Sequence, residues 1–262
     1  MTLPSLPVLR LRSTDSTSRH AAQLLRDSVT SSTTRAPFIV WSEEQSGGRG
    51  RHGHTWQSPR GNLYVTLVLP PPHEPVADHG LLPLKAGVVV ARFIERHFGL
   101  RLTLKWPNDL LFAGSKLGGI LLETTINGST FGELLIGVGL NVNVAPEILG
   151  GDYDSIALHS LLGRSIDVAD LVSKLAAEFP ILWDELPLSK VVAAYSDYSV
   201  TPDELCHQVT SDGRRYGRLG VLRDDGAQIV ELIDSHESIV LGNADHGWRW
   251  ALQSAEPTEL VV

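Results

Sequence analysis

The chain of 262 residues is 42% hydrophobic and 20% charged, with one cysteine and a formal net charge of −8. That length builds one or two domains with room for a sizeable core. The lone Cys206 excludes an internal disulfide and a Cys-rich zinc site, and the acidic balance argues against general affinity for nucleic acid. The opening residues MTLPSLPVLRLRS lack a sustained apolar run ahead of a cleavage site, and no later stretch is long enough to span a bilayer. The expected location is cytoplasmic, with no membrane and no DNA as partner.

Taken in chain order, TDSTSRHAAQLLRDS (14–28) predicts a helix capped by Asp15 or Ser16, with Ala21, Leu24 and Leu25 as its apolar stripe. FIVW (38–41) and NLYVTLVL (62–69) predict strands, the second ended by a run of prolines at 70–72. GLLPLKAGVVVARFIERHFG (80–99) has a helical apolar period that stops at Gly99. Strands are expected at RLTLKW (101–106), LGGILLET (117–124) and GELLIGVGLNVN (132–143), with turns at Ala113-Gly114 and Asn127-Gly128. Two helical stretches follow at 167–186 and 188–198, the first expected to kink or break at Pro180. From Leu205 the texture changes to short apolar runs at 205–209, 217–222, 227–233 and 238–242, with Asp212-Gly213 and Asp225-Gly226 as hairpin signals. The organisation predicted is an α+β domain over 1–204, built on a mixed β-sheet with helices packed on it, then a small all-β barrel over 205–262.

One segment breaks the acidic pattern. Between Gln45 and His73 there is no Asp or Glu, yet Arg49, Arg51, His52, His54 and Arg60 all fall there. Residues 48–53, Gly-Arg-Gly-Arg-His-Gly, satisfy G-x-G-x-x-G literally, but a dinucleotide fingerprint needs a helix to open at the glycines. HTWQSPRGN follows instead, and the position of a ribose-binding acid falls at Glu74 in a proline-rich turn. Glycines interleaved with arginines suit a loop that folds over an anion and brings guanidinium forks onto carboxylate or phosphate oxygens. A surface loop with no ligand explains the glycines alone.

A second cluster is LKWPNDLLFAGSKLGGILLET (104–124). Lys105-Trp106-Pro107-Asn108-Asp109 ends a strand with a cation, an indole and two Asx side chains, and Lys116 and Gly118-Gly119 come soon after. Separately these features read as a turn, a solvated lysine and a bulge. Their order is more specific. Asp15-Ser16-Thr17, the Gln45 to Gly53 motif with Trp56 after it, KWPND, KLGGIL (116–121) and GVGLNVN (137–143) together resemble the biotin–protein ligases, with matches from Asp15 to Asn143. The later helices and the small β unit are similar to that family without sharp motifs.

The resemblance implies a class II synthetase-like catalytic domain of the biotin–lipoate ligase type and a C-terminal SH3-like barrel. It implies a two-step reaction in which biotin and MgATP form biotinyl-5′-AMP, and the biotinyl group passes to a lysine of a biotin carboxyl carrier domain. By the family pattern, Arg51, Lys116 and Asp109 are catalytic. Biotin is held by Ser16, Thr17, Ser18, Gln45, Gly48, Arg49, Gly50, Arg51, Lys116, Gly119, Leu121, Gly137 and Gly139. ATP and the adenylate are held by Arg49, Arg51, Trp56, Asn108, Asp109, Lys116 and Asn141. Mg²⁺ sits mainly on the ATP phosphates, with Asp109 as its one candidate protein ligand.

The chain departs from the family pattern at Ser18, where Asn is common, and at His52 and His54, where basic residues often stand. The biotin motif begins at Asp15, so a monofunctional ligase without a DNA-binding domain is expected. The alternatives are a lipoate or octanoyl transferase on a similar fold and a non-catalytic biotin sensor. Oligomeric state, monomer or homodimer, stays open.

Overall fold

The computed structural model describes residues 5–27, 36–71, 80–127, 130–147, 154–199, 204–210, 213–242 and 248–250. Its centre is a seven-stranded sheet in the order β1-β2-β3-β7-β6-β5-β4. The strands are β1 (Val8–Leu11), β2 (Phe38–Ser42), β3 (Leu63–Leu69), β4 (Thr103–Lys105), β5 (Asp109–Phe112), β6 (Ser115–Asn127) and β7 (Thr130–Leu140). β1 pairs with β2 in parallel and every other neighbour is antiparallel, so the sheet is mixed as expected. β1 and β5, four residues each, were not anticipated, because runs this short carry little periodic signal.

Period-two alternation sorts the sheet into two faces. On β3, Leu63, Val65, Leu67 and Leu69 enter the main core, while Tyr64, Thr66 and Val68 point the other way. The main-core face is covered by α2 (Leu82–Phe98), α4 (Val168–Asp184) and α5 (Val191–Tyr198), which pack on one another and on the sheet. α2 ends at Gly99 in the left-handed conformation, φ 66, as its sequence predicts. The α4 N-terminus is capped by the Asp167 carboxylate, which accepts from the backbone N–H groups of Ala169 and Asp170. Such a cap contributes about 1 kcal/mol.

Of the two outcomes expected at Pro180, the break does not occur: α4 is continuous through it. Phe179 and Leu182 on either side are buried, and that apolar packing outweighs the missing N–H bond.

The opposite face carries α1 (Thr17–Asp27), whose Ala21 packs on Val40, Val68 and Leu135, with Leu24 and Leu25 alongside. The stretch of chain after β7, residues 141–167, holds the short α3 (Leu158–Leu162) and leads into α4. Its start is pinned by Asn62, whose Oδ1 accepts from the backbone N–H groups of Val142, Asn143 and Val144. Asn141-Val142-Asn143 is therefore a clamped turn beyond the end of β7, not the continuing strand expected.

The C-terminal strands β8 (Leu205–Thr210), β9 (Gly213–Leu222), β10 (Gln228–Leu232), β11 (Ser238–Leu241) and β12 (Trp248–Trp250) form a second, antiparallel sheet in the order β11-β10-β9-β8-β12. Cys206, Leu219, Val230 and Leu241 from this sheet belong to the same apolar core as the large one. Burial pushes the Cys206 thiol up to about 12, so it is an inert packing group. Three expected features, the Glu74 position, the Asn127-Gly128 turn and Asp212 of the 212–213 turn, include residues outside those described. Among the described residues no helix is long and apolar enough to cross a membrane.

Candidate active site

The register of the large sheet builds the floor of the site. Tyr64 pairs with Gly139, Gly139 with Gly119, Gly119 with Asp109 and Asp109 with Lys105, one cross-strand row over five strands. Two residues along, Thr66, Gly137 and Leu121 form a parallel row. The Gly139–Gly119 pair in the first row and the single Gly137 in the second remove side chains from this face and leave a trench. Gly118 is different: a Cβ there would lie 2.5 Å from Leu140 Cδ2, so only glycine fits.

At one end of the trench the start of α1 presents hydroxyls. Ser16, Thr17 and Ser18 are all buried. The Gln45 carboxamide oxygen accepts from the Thr17 N–H at 2.8 Å and from its hydroxyl at 3.2 Å, and Gln45 Nε2 donates to Ser58 Oγ at 2.9 Å. The helix start is thus satisfied from a loop 28 residues away as well as by Asp15, whose carboxylate accepts the Ser16 N–H, the Thr14 hydroxyl and Arg19 Nη1. Ser18 Oγ shares a hydrogen bond with Thr66 Oγ1, which in turn donates to Thr17 Oγ1. Thr66 and Ser58 complete this polar wall and were missed by the sequence reading. Thr66 carried a signal, the one aliphatic hydroxyl inside the apolar run LYVTLVL.

At the other end the cations gather. Lys116 Nζ lies 2.8 Å from Asp109 Oδ1, with both side chains under one-fifth exposed. Arg51 Nη1 donates to Asn108 Oδ1 at 3.4 Å, and Asn108 Nδ2 donates back to the Ile120 carbonyl. Burial lowers the Arg51 pKa, and the nearby Asp109 carboxylate opposes that fall; a guanidinium keeps its charge at neutral pH regardless. Arg49 reaches away from this group to Glu123, 2.9 Å distant.

The 45–58 segment that roofs the trench is ordered by its own backbone. Gln45 bridges to Ser58 and Arg49 to Thr55, Trp56 N–H donates to Gly48 O, and Arg51–Gly53 forms a single 3-10 turn. His52 adopts φ 52 inside that turn, a conformation that Asn, Asp and His tolerate better than most residues. A Cβ on Gly48 would lie 2.3 Å from Trp56 O and 2.5 Å from Ser58 Oγ. The sequence reading assigned these glycines to loop mobility. At Gly48 the structure corrects this: the glycine is demanded by a close backbone crossing. Trp56 lies against Gly139, where a Cβ would meet its Nε1 at 2.7 Å, and Lys116 Nζ sits 5.5 Å from the indole centroid.

These elements enclose a cavity of about 380 Å³, within the range of small-molecule sites. Of the residues anticipated, Ser16, Thr17, Ser18, Gln45, Arg49, Gly50, Arg51, Trp56, Asn108, Asp109, Lys116, Gly119, Leu121, Gly137 and Gly139 line it. Gly48 and Asn141 do not. Gly48 borders a second cavity of about 600 Å³ on the outer side of the same loop. Asn141 sits beneath Lys116 and donates to its carbonyl at 3.2 Å, leaving its own buried Oδ1 without a partner. The buried Trp56 Nε1 also lacks one. Lys105, Tyr64, Leu241 and Trp248 line the cavity too and were not anticipated. Leu241 and Trp248 come from the second sheet, a juxtaposition with no local sequence signal. Among the described residues Asp109 is the one carboxylate on the cavity wall, and no group of three His, Cys, Asp or Glu side chains is suited to a metal.

The fold and site together define an α+β protein with a two-ended cavity: neutral donors and acceptors at one end, and concentrated positive charge at the other. Residues 11–141 match the biotin/lipoate A/B protein ligase family, and the chain belongs to that family. A bifunctional ligase/repressor BirA of Bacillus subtilis is 27% identical over 215 residues, 80% of this chain and 66% of its own length. A biotin–[acetyl-CoA-carboxylase] ligase of Paracoccus denitrificans is 33% identical over 149 residues, 53% of this chain and 60% of that protein. The chain therefore spans somewhat under two thirds of the length of these relatives. The fold is that of a biotin protein ligase from Aquifex aeolicus solved with biotin and ATP, at a TM-score of 0.71 and 22% identity over 93% of this chain and 98% of that one.

Proposed function

We propose that this protein is an ATP-dependent biotin–protein ligase, which activates biotin as biotinyl-5′-AMP and transfers the biotinyl group to one lysine of a biotin carboxyl carrier domain. The observation that carries the reading is the two-ended cavity, with Arg51 on Asn108 and Lys116 on Asp109 at its cationic end. The names of the relatives support it.

In this reading Ser16, Thr17, Ser18 and Gln45 bind the ureido head, since hydroxyl and carboxamide groups both donate and accept. The apolar body lies along Leu121 over Gly119, Gly137 and Gly139. The biotin carboxylate then reaches Arg51 and Lys116. In activation a carboxylate oxygen bonds to the α-phosphorus of ATP, the bond to the β-phosphate bridge breaks, and pyrophosphate leaves. Two anions converge in that step, so fixed cations aimed at the reacting phosphate do most for it. Mg²⁺, carried in on ATP with Asp109 as its candidate protein ligand, would supply further counter-charge at the phosphate oxygens. Asp109, the one carboxylate among the described lining residues, suits an ion that would take most of its ligands from phosphate and water. Trp56 stacks on the adenylate, while Asn141, off the cavity wall, supports Lys116 from beneath through its carbonyl.

In transfer the carrier lysine must lose a proton from an ammonium of reference pKa about 10.4. Its nitrogen bonds to the acyl carbon, the acyl–phosphate bond breaks, AMP leaves and a second proton departs as the amide forms. Asp109 is the proton acceptor: once Lys116 turns to phosphate oxygens, its carboxylate loses its partner and faces the incoming amine. The lone buried Cys206 suits a reducing compartment, and the cytoplasm is the proposed location.

The reading is tested by incubating the protein with ATP, biotin and a biotin carboxyl carrier domain and measuring the carrier's intact mass. One biotinyl adduct on one lysine is expected; an unmodified carrier in the presence of ATP and biotin contradicts the proposal. Two variants refine it. Arg51→Gly is expected to let the adenylate escape and label bystander lysines, read by mass spectrometry of a mixed-protein reaction; carrier-restricted labelling contradicts a retention role. Asp109→Asn is expected to slow single-turnover transfer from preformed biotinyl-5′-AMP by about 10²–10⁴-fold. Transfer at the unmodified rate removes Asp109 as proton acceptor.

A further inference from the structure

The turn joining β9 to β10 lies over 100 residues from the KWPND segment in sequence, yet grips its indole. Trp106 Nε1 donates to the Gly226 carbonyl at 3.0 Å, and both residues are buried. A buried indole N–H left without a partner is costly, so this bond strongly fixes the ring. The turn itself is stiff. Arg223 N–H donates to Ala227 O, Gly226 N–H donates to Arg223 O, and Asp225 Oδ1 accepts from the Ala227 N–H. Gly226 adopts φ +82, and a Cβ there would lie 2.9 Å from Leu81 Cδ2 and 3.2 Å from Leu84 Cδ1, at the start of α2. The turn is therefore pressed into the large unit, with no space for a side chain.

On its β5 side the segment is tied to β6, where Asn108 donates through Nδ2 to the Ile120 carbonyl and accepts the Ile120 N–H at its own carbonyl; on its β4 side the support is thin. β4 is a three-residue edge strand, so few ladder bonds hold the turn between it and β5. That turn carries Asn108, which meets Arg51, and leads into Asp109, which meets Lys116.

We propose that the β9–β10 turn is a positioning element for the activation step: the Gly226 carbonyl, through the Trp106 indole, holds residues 107–109 so that Asn108 and Asp109 aim Arg51 and Lys116 at the reacting phosphate. Trp106 and Gly226 are positioning residues, acting through those four side chains. The inference rests on the proposed ligase reading for its chemistry and on the hydrogen bond and the turn packing for its geometry.

Trp106→Phe keeps the ring and removes the donor; Gly226→Ala pushes the turn off α2. Each is expected to lower kcat of biotin-dependent pyrophosphate–ATP exchange by about tenfold or more, as small misplacements at a reacting centre do. The biotin Kd measured by calorimetry without ATP should change several-fold less than kcat, because the Ser16–Gln45 end is untouched and only the carboxylate contacts to Arg51 and Lys116 shift. The double variant should lose no more than the worse single one, since both break one contact. Hydrogen exchange of the ligand-free protein should rise in peptides covering 105–112 in both variants and stay constant at the start of α1. Unchanged exchange rates at 105–112, or a Trp106→Phe protein with unmodified kcat, would overturn the proposal, as would equal weakening of biotin binding in a merely destabilised fold. Absence of biotin-dependent exchange in the unmodified protein would instead overturn the ligase reading, and the hydrogen-exchange comparison would still decide the positioning role.

Discussion

Replacing Lys116 with alanine is expected to lower biotin-dependent pyrophosphate–ATP exchange by about 10²–10³-fold, the scale of losing one preorganised charge at a reacting centre. Two effects of the same sign combine. The cation nearest the proposed α-phosphate position disappears, and Asp109, its partner at 2.8 Å, is left as an uncompensated negative charge in a cavity that must admit two more anions. Biotin binding without ATP should weaken far less, because the hydroxyl end of the trench is intact. Lys116→Ala with near-normal exchange would remove Lys116 from the mechanism.

Gly48→Ala is expected to produce the second large loss, on the order of 100-fold in the same assay. The added methyl would lie 2.3 Å from a backbone oxygen, which cannot rotate out of the way, so the crossing of residues 45–48 under 56–58 must open. Opening it displaces Gln45 from Thr17 and Trp56 from Gly139, one contact at each end of the trench. The loop is peripheral to the core, so Tm should move by less than about 4 °C. A loss of activity matched by a large fall in Tm, or no loss at all, contradicts the close-crossing explanation. Gly50→Ala is the milder comparison, its nearest contact being 3.3 Å from His54 O.

These two positions also show what the sequence could and could not disclose. Lys116 was legible because its motif spacing is specific, and the structure places it, with Arg51, Asn108 and Asp109, at one end of one cavity. Gly48 stood out in the motif, but mobility and steric demand both select glycine, and the structure places it at the close crossing beside the second cavity, not on the wall of the first. The strong periodic elements, β3 and α2, lie within one or two residues of their predicted limits. The short strands β1, β5 and β12 escaped because three or four residues hold no measurable period. A break at Pro180 is absent because its local cost is real but smaller than the packing on either side of it.

The remaining gaps are tertiary. Thr66 joins the hydroxyl wall through strand register, Gln45 satisfies a helix start 28 residues away, and Leu241 and Trp248 reach the cavity from the second sheet. None of these juxtapositions is written in a local pattern. The same is true of Trp106 and Gly226, each of which reads alone as an ordinary strand end and an ordinary hairpin turn.

The account turns on which acid the two-ended cavity activates, because the family includes both biotin and lipoate ligases. The most direct measurement is pyrophosphate–ATP exchange on the purified protein with biotin and lipoate in parallel reactions. Exchange that requires biotin and is absent with lipoate is the predicted result. Exchange driven by lipoate, or by neither acid, would contradict the assignment.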